Sequence, residues 1–277
     1  MGDEPKLEHH LDLLWGRASA TGRGRPARTT RDQVVAAAVA RADASGLEEL
    51  SMRAVAADLG VGVMSLYTHV ESRDGLVALM IDGAFAEIVD DLRPREGEAW
   101  REAAARQARS LWDLYGRHPW ILGHGSRLPM GPHVLGMEDA FYAAFLDIGL
   151  TPVETANAAI ALRSLVTGLA RDSRSAQDQV RRTGVGFVEY WSSINAVFWD
   201  RYYDQERFPA MTRLWFEGGF ESEDVLAEEG IVDRAVGAYL DGIATRLDRD
   251  EAVDGGAGPG DGEHHRGQGS SPSTGGP

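Results

Sequence analysis

The chain has no cysteine. That excludes disulfides, thiolate zinc sites, iron–sulfur ligation and a cysteine nucleophile. Lysine occurs once, at Lys6, so almost all positive charge is arginine. No apolar run approaches the roughly 18 residues that a membrane-crossing helix needs; Val34 to Ala40 is among the longest. The opening MGDEPKLEHH is acidic and polar, unlike a secretory leader. A cytoplasmic protein without membrane attachment is the expectation. Alternating β-branched runs, the mark of strands, are almost missing. There is no fixed-period repeat, no glycine-rich phosphate loop, no serine at a strand–turn–helix elbow and no His-Glu-x-x-His. Asp90-Asp91 and Glu228-Glu229 are adjacent pairs, which do not share a helix face. His118 and His124 stand six apart around a proline, not at metal-binding helical spacing. His9-His10 and His264-His265 lie in or near polar termini. No catalytic residue, metal or cofactor is expected.

What is present is helical spacing along 277 residues, 43% hydrophobic and 26% charged, at net charge −15. That acidity argues against indiscriminate nucleic-acid binding. Charge is uneven, however. Between Trp15 and Arg41 there are six arginines (Arg17, Arg23, Arg25, Arg28, Arg31, Arg41) and one acid, Asp32, so this window carries +5 and the remainder −20. A basic segment on an acidic body implies one aimed contact with a polyanion. Residues 1–28 read as a polar basic arm, with Leu7, Leu11, Leu14 and Trp15 forming one face of a short helix,. Residues 250–277 hold nine glycines and no Leu, Ile, Phe, Trp or Tyr; such a tail is expected to be disordered. The fold class is all-α.

Residues 29–92 carry four helical patterns. Thr29 or Thr30 caps the first, with Val34, Ala38 and Ala42 inward, and Gly46 ends it,. Ser51 caps the second, with Met52, Val55, Ala56 and Leu59 at i, i+3, i+4, i+7. Gly60-Val61-Gly62 forms a tight turn into a third helix, Val63 to Val70, with Leu66 and Val70 inward. Ser72 caps the fourth. Two short helices joined by a glycine turn make a helix-turn-helix. The third helix then presents Val63, Met64, Ser65, Tyr67, Thr68 and His69 outward, uncharged at neutral pH and small enough for a major groove,. Ser65, Tyr67 and His69 can donate to phosphates, and Val63 and Thr68 can touch a thymine methyl. Arg53 can reach a guanine edge and Arg73 the DNA backbone.

The run from Leu50-Ser51-Met52-Arg53 through Leu59-Gly60-Val61-Gly62-Val63-Met64-Ser65-Leu66-Tyr67-Thr68-His69-Val70 to Arg73-Asp74-Gly75-Leu76 resembles the DNA-binding domain of the TetR family over about residues 30–90. The resemblance implies a homodimeric transcription regulator, usually a repressor released from a palindromic operator by a small ligand. It implies phosphate contacts for Ser65, Tyr67 and Arg73, and base-reading or backbone contacts for Arg53, Val63, Thr68 and His69. With Ser51, Met64 and the arm residues Arg25 and Arg28, these are the expected DNA-binding residues. Arg23-Gly24-Arg25-Pro26 also resembles an AT-hook core, which fits an A·T minor groove. The DNA-binding domain is expected over residues 29–75 and the ligand-binding and dimerisation domain over 76–249.

Within that second domain, a helix from Ala99-Trp100 to Tyr115 stops at His118-Pro119-Trp120, and Thr151-Pro152 opens a long helix through Ala156, Ile160, Leu165 and Leu169,. Phe187 to Tyr203 is rich in aromatics. The last helix, Asp224 to Leu247, has two apolar stripes: Val232, Val236, Leu240, Ile243, Leu247, and the small-residue stripe Ile231, Ala235, Ala238, Gly242, Thr245. A helix with two apolar faces must be covered twice, so the expected dimer joins this helix and the Phe187–Tyr203 helix of each protomer in a four-helix C2 interface. The stretches Trp100 to Trp120 and Ala238 to Ile243 resemble actinobacterial members with a tetracycline-repressor-type C-terminal domain, which implies a mostly apolar ligand pocket. Candidate pocket residues are Trp112, Tyr115, His118, Trp120, Tyr142, Asn157, Arg163, Trp191 and Asn195. The magnesium-chelating arrangement of the tetracycline repressor is not evident, so tetracycline is not expected. The alternative to a regulator is an all-α ligand-binding or scaffold protein that no longer binds DNA.

Overall fold

Thr30, Ser51, Ser72 and Thr151 each cap a helix start through a side-chain oxygen,. Thr30 accepts the Gln33 amide, and the Gln33 side chain accepts the Thr30 amide in return, a reciprocal cap that opens the helix over Arg31–Ser45. The computed structural model describes residues 4–17, 29–124, 128–219 and 230–255, and every regular element among the described residues is helical. An arm helix, α1 (Glu4–Leu14), precedes the capped helix α2 (Arg31–Ser45). Then come α3 (Met52–Asp58), α4 (Val63–Leu66) and α5 (Arg73–Ala86). Next are α6 (Val89–Leu92), α7 (Trp100–Arg117), a 3-10 turn (Pro119–His124) and α8 (Pro132–Ala143). The chain continues with α9 (Pro152–Thr183), α10 (Phe187–Arg201), α11 (Pro209–Phe216) and α12 (Ile231–Gly255).

The arm helix is docked. Leu13 and Leu14 are buried, Trp15 Nε1 donates to the Met130 carbonyl at 3.0 Å, and an Arg31 terminal nitrogen donates to the Leu13 carbonyl at 3.2 Å. Residues 18–28, with Arg25, Arg28 and the Arg-Gly-Arg-Pro sequence, lie outside the described residues.

Three boundaries differ from expectation. The third helix of the DNA-binding unit is regular only over Val63–Leu66. After it, Thr68 Oγ1 donates to the Ser65 carbonyl at 2.7 Å and the His69 amide to Leu66 at 2.8 Å. This local hydroxyl bond competes with the helical ladder. Val70 still donates to Leu66 at 3.0 Å and stays buried. Helix α9 passes Leu169 and continues to Thr183, about 48 Å long at the standard rise, until Gly184 takes a left-handed φ of 69°. Its buried face is Thr155, Ala158, Ala159, Leu162, Val166 and Ala170, whereas Ile160 is exposed. The expected disordered tail at 250–277 is corrected at its start: α12 runs on to Gly255, because nothing before Gly255-Gly256 breaks a helix,. Residues 256–277 lie outside the described residues.

Helix α5 crosses the expected domain boundary at residue 75 without a break. Its first half closes the core of α2, α3 and α4 through Leu76 and Met80. Its second half reaches α8 through Asp82, a buried carboxylate. Asp82 accepts the His133 and Val134 amides, each at 3.0 Å, and His133 Nδ1 at 2.9 Å. One helix thus caps the N-terminus of another, where unpaired amides and the helix dipole favour an anion. Gly131 permits the approach: a Cβ there would stand 2.2 Å from Asp82 Oδ1. Nearby, the buried Gln107 amide nitrogen donates to the Leu92 and Ala140 carbonyls, both at 2.8 Å, joining α6, α7 and α8.

Arg106 organises the segment between α6 and α7. It holds Glu98 through two bonds, Nε to Oε1 at 2.8 Å and a terminal nitrogen to Oε2 at 2.7 Å, and also bonds the Asp91 and Arg93 carbonyls. These bonds from Arg106 hold the Glu98 carboxyl down to about 2.

Two predictions follow from these contacts. Asp82→Ala leaves two buried amides without an acceptor and should lower unfolding free energy by about 2–3 kcal/mol, measured by chemical denaturation. Glu98 is depressed in the folded state, so its contribution is complete above the ordinary 4.5 and is lost as pH falls toward about 2,. Glu98→Gln should flatten the acid limb of a melting-temperature profile across that window while leaving its neutral-pH shape unchanged.

Candidate nucleic-acid interface and ligand cleft

The reading segment is built by a turn that only glycine makes easily. Gly60 has φ 64°, which brings the Val61 amide to the Ala56 carbonyl at 3.0 Å,. Val61 packs against the core, and α4 then leaves at a fixed angle. Leu66 and Val70 are buried at 0% and 1% exposure, while Met64 is 77% and Tyr67 45% exposed. Ser65 and Thr68 are also exposed, and Val63 and His69 are half-buried. The expected inner and outer faces are therefore both present. Tyr67 and Thr68 stand outside the packed interior.

Flanking residues have mixed roles. Arg53 is exposed near the start of α3. Ser51 has its hydroxyl engaged as the α3 cap, accepting the Ala54 amide at 3.2 Å. Arg73 is held inward: Nε donates to the Leu50 carbonyl at 2.9 Å and one terminal nitrogen to Leu47 at 2.7 Å. It braces the α2–α3 loop, so a phosphate contact must use its other terminal nitrogen. Arg41 makes a two-pronged bond to Asp58 at 2.7 and 2.6 Å, tying α2 to α3.

A cleft opens between α7, the 3-10 turn and α9. It comprises cavities of about 190 and 350 Å³ that share Tyr115 and Leu122. Arg163 lines the smaller and Trp112 the larger, so three expected pocket residues converge here. The Thr167 hydroxyl donates to the Arg163 carbonyl at 2.8 Å, so the Tyr115 hydroxyl, 3.2 Å away, donates to Thr167. Burial pushes the Tyr115 phenol up, which keeps it a neutral donor.

Other expected pocket residues lie elsewhere. His118 and Trp120 are buried, but they grip the DNA-binding unit. His118 Nδ1 is 2.8 Å from Asp43 Oδ1 on α2, its Nε2 is 2.9 Å from Glu87 Oε1 after α5, and Trp120 Nε1 donates to Asp43 Oδ1 at 2.6 Å. With three residues per turn, Pro119 and Leu122 share the face on the cleft, while His118 and Trp120 meet Asp43,. Tyr142 lines a separate open groove with Leu146 and Pro152. Asn157 is exposed on α9, so the hydrogen-bond debt of a buried amide does not arise. The side chains of Trp191 and Asn195 lie outside the described residues.

Several lining residues escaped the sequence reading: Thr167, Arg171, Arg174 and Gln177. Their signal is a polar stripe that continues from Arg163 at helical spacing. The two stripes of α12 are as expected. Val232, Val236 and Leu240 are buried, while Ala238, Gly242 and Thr245 face out. Among the described residues no group of histidines and acids could hold a metal, and no helix is long and apolar enough to cross a membrane.

Comparison with known proteins agrees with this architecture. Residues 93–219 match the family described as Tetracyclin repressor-like, C-terminal domain. The chain is 37% identical over 211 residues to the HTH-type transcriptional repressor DrrR1 of Streptomyces coeruleorubidus, covering 74% of this chain and 75% of that protein. It is 31% identical over 156 residues to an HTH-type transcriptional regulator of Saccharopolyspora erythraea, covering 56% and 65% respectively. The TetR family protein ActR of Streptomyces coelicolor, solved in complex with actinorhodin, has a TM-score of 0.63 at 25% identity, covering 80% of this chain and 99% of that one. A helix-turn-helix with its outer row exposed, joined to this C-terminal body and to such relatives, has one reading: the chain belongs to the TetR family of transcriptional regulators.

Proposed function

We propose that the chain is a homodimeric repressor, released from a palindromic operator by a small, mostly apolar ligand. Residues 29–75 form its DNA-binding domain and residues 76–249 its ligand-binding and dimerisation domain. The observation that carries this reading is the exposed row Met64, Ser65, Tyr67 and Thr68 above the buried Leu66 and Val70. In the operator complex this row lies in the major groove, Tyr67 and Ser65 bond phosphates, and Arg53 reaches a guanine edge. Arg23 and Arg25 of the arm enter the adjacent minor groove, and Arg28 adds a further DNA contact. DrrR1 is named a repressor, which supports repression over activation.

The outward small-residue stripe of α12 and the exposed Tyr190 and Val197 of α10 support a C2 interface built from these helices,. Two copies then present their reading segments about one helical turn of DNA apart. The bound actinorhodin of ActR supports a small-molecule effector. The cleft beside Tyr115 is its site. The 3-10 turn carries the response, since a ligand pressing on Pro119 and Leu122 also moves His118 and Trp120 against Asp43.

Two measurements test this. In mobility shifts with the chain's own upstream region, Tyr67→Ala should weaken binding about tenfold or more, and Arg53→Ala should reduce discrimination against unrelated DNA by about 1–3 kcal/mol. Arg23→Gln with Arg25→Gln should flatten the salt dependence of the same titration. Intact binding in all of these variants would overturn the contact assignment, and no specific binding by the unaltered chain would favour the scaffold alternative. In hydrogen exchange, Asp43→Asn should speed exchange across residues 29–70 and leave α7 and α9 unchanged; unaltered protection in the first region would refute the proposed relay.

A further inference from the structure

The lining of the cleft has a charge opposite to that of the molecule. The chain carries a net charge of −15, yet Arg163, Arg171 and Arg174 line the two cavities and no aspartate or glutamate does. Arg163 is mostly buried. One of its terminal nitrogens lies 3.2 Å from Glu138 Oε1, while its buried Nε–H has no hydrogen-bond partner among the described residues. A buried donor without an acceptor is costly and rare. Arg174 Nε is 3.0 Å from Asp178 Oδ2, an acid outside the lining. The remaining polar groups carry no charge: the Ser164, Thr167 and Ser173 hydroxyls, the Gln177 amide and the Tyr115 phenol, which burial keeps protonated. Trp112 and Tyr115 supply flat apolar walls.

We infer that the cleft takes an aromatic acid: a fused-ring ligand against Trp112 and Tyr115, with a carboxylate or comparable anionic oxygen directed at Arg163 and Arg171. An anionic oxygen in the cleft pairs with the Arg163 guanidinium by a charge-assisted hydrogen bond,. A cationic ligand meets only arginines and neutral groups in the lining and gains no counter-charge. This inference rests on the reading of the cleft as the effector site, and it adds the ligand's chemistry.

The probes are anthracene-2-carboxylate, its neutral carboxamide and 2-(aminomethyl)anthracene, titrated into the full-length protein by calorimetry. The acid is expected to bind about tenfold or more tighter than the amide, with the amine weakest. Arg163→Gln should reduce the acid-to-amide ratio to about threefold or less, and Arg163→Lys should restore part of it. Arg171→Gln provides the same comparison if Arg163→Gln does not fold. Equal affinity for acid and amide, preference for the amine, no binding of the acid, or an unchanged ratio in a folded variant overturns the inference. A mobility shift run in parallel separates the two readings. If the acid binds with the expected preference but leaves DNA bound, the ligand chemistry stands and the effector role of the cleft fails.

Discussion

The orientation of the reading segment depends on one constraint: the DNA-binding unit is fastened to the body at two points that lie on different helices. Helix α5 belongs to both parts, and Asp82 anchors its second half to the first amides of α8. The second fastening is Asp43 on α2, held by His118 and Trp120. One attachment alone would leave a hinge. Two, on separate helices, fix both the position and the rotation of α4 relative to the body. Both anchors are carboxylates with several donors, an arrangement that is stronger than a neutral hydrogen bond and more sensitive to small displacement.

The same arrangement makes the cleft and the DNA-binding unit neighbours through a single short segment. The 3-10 turn has one side on the cavity and the other on Asp43. A packed interior does not deform continuously, and in the proposed response a ligand beside Leu122 would shift the turn as a unit. His118 gives this contact its polarity. Both ring nitrogens face carboxylates, and both can donate only when the ring is protonated,.

Much of this was legible in the sequence because it is periodic. Leu66 and Val70 against Met64 and Tyr67, the caps at Thr30, Ser51 and Ser72, and the two stripes of α12 all follow from helical spacing within a few residues. What was not legible is the long-range polar pairing. His118-Pro119-Trp120 reads as the end of a helix, and nothing near it indicates that Asp43, 75 residues earlier, is its partner. Asp82 reads as an ordinary acid within α5, yet it is buried by a helix that begins some fifty residues later,. Arg171 and Arg174 continue the polar stripe from Arg163, but that spacing alone does not say which neighbour the stripe faces,. Tyr142 and Asn157 show the opposite failure: each is plausible as a pocket residue by type and is turned elsewhere by the rotation of its helix.

The most direct test uses the absence of cysteine. A single cysteine at the exposed Glu71 carries one spin label per chain, and pulsed electron double resonance reports the separation of the two DNA-binding units in a dimer. The account predicts one narrow distance distribution in the otherwise unaltered protein and a broad one when Asp43→Asn and Asp82→Asn remove both anchors. No dipolar signal, or equal widths with and without the anchors, would contradict it.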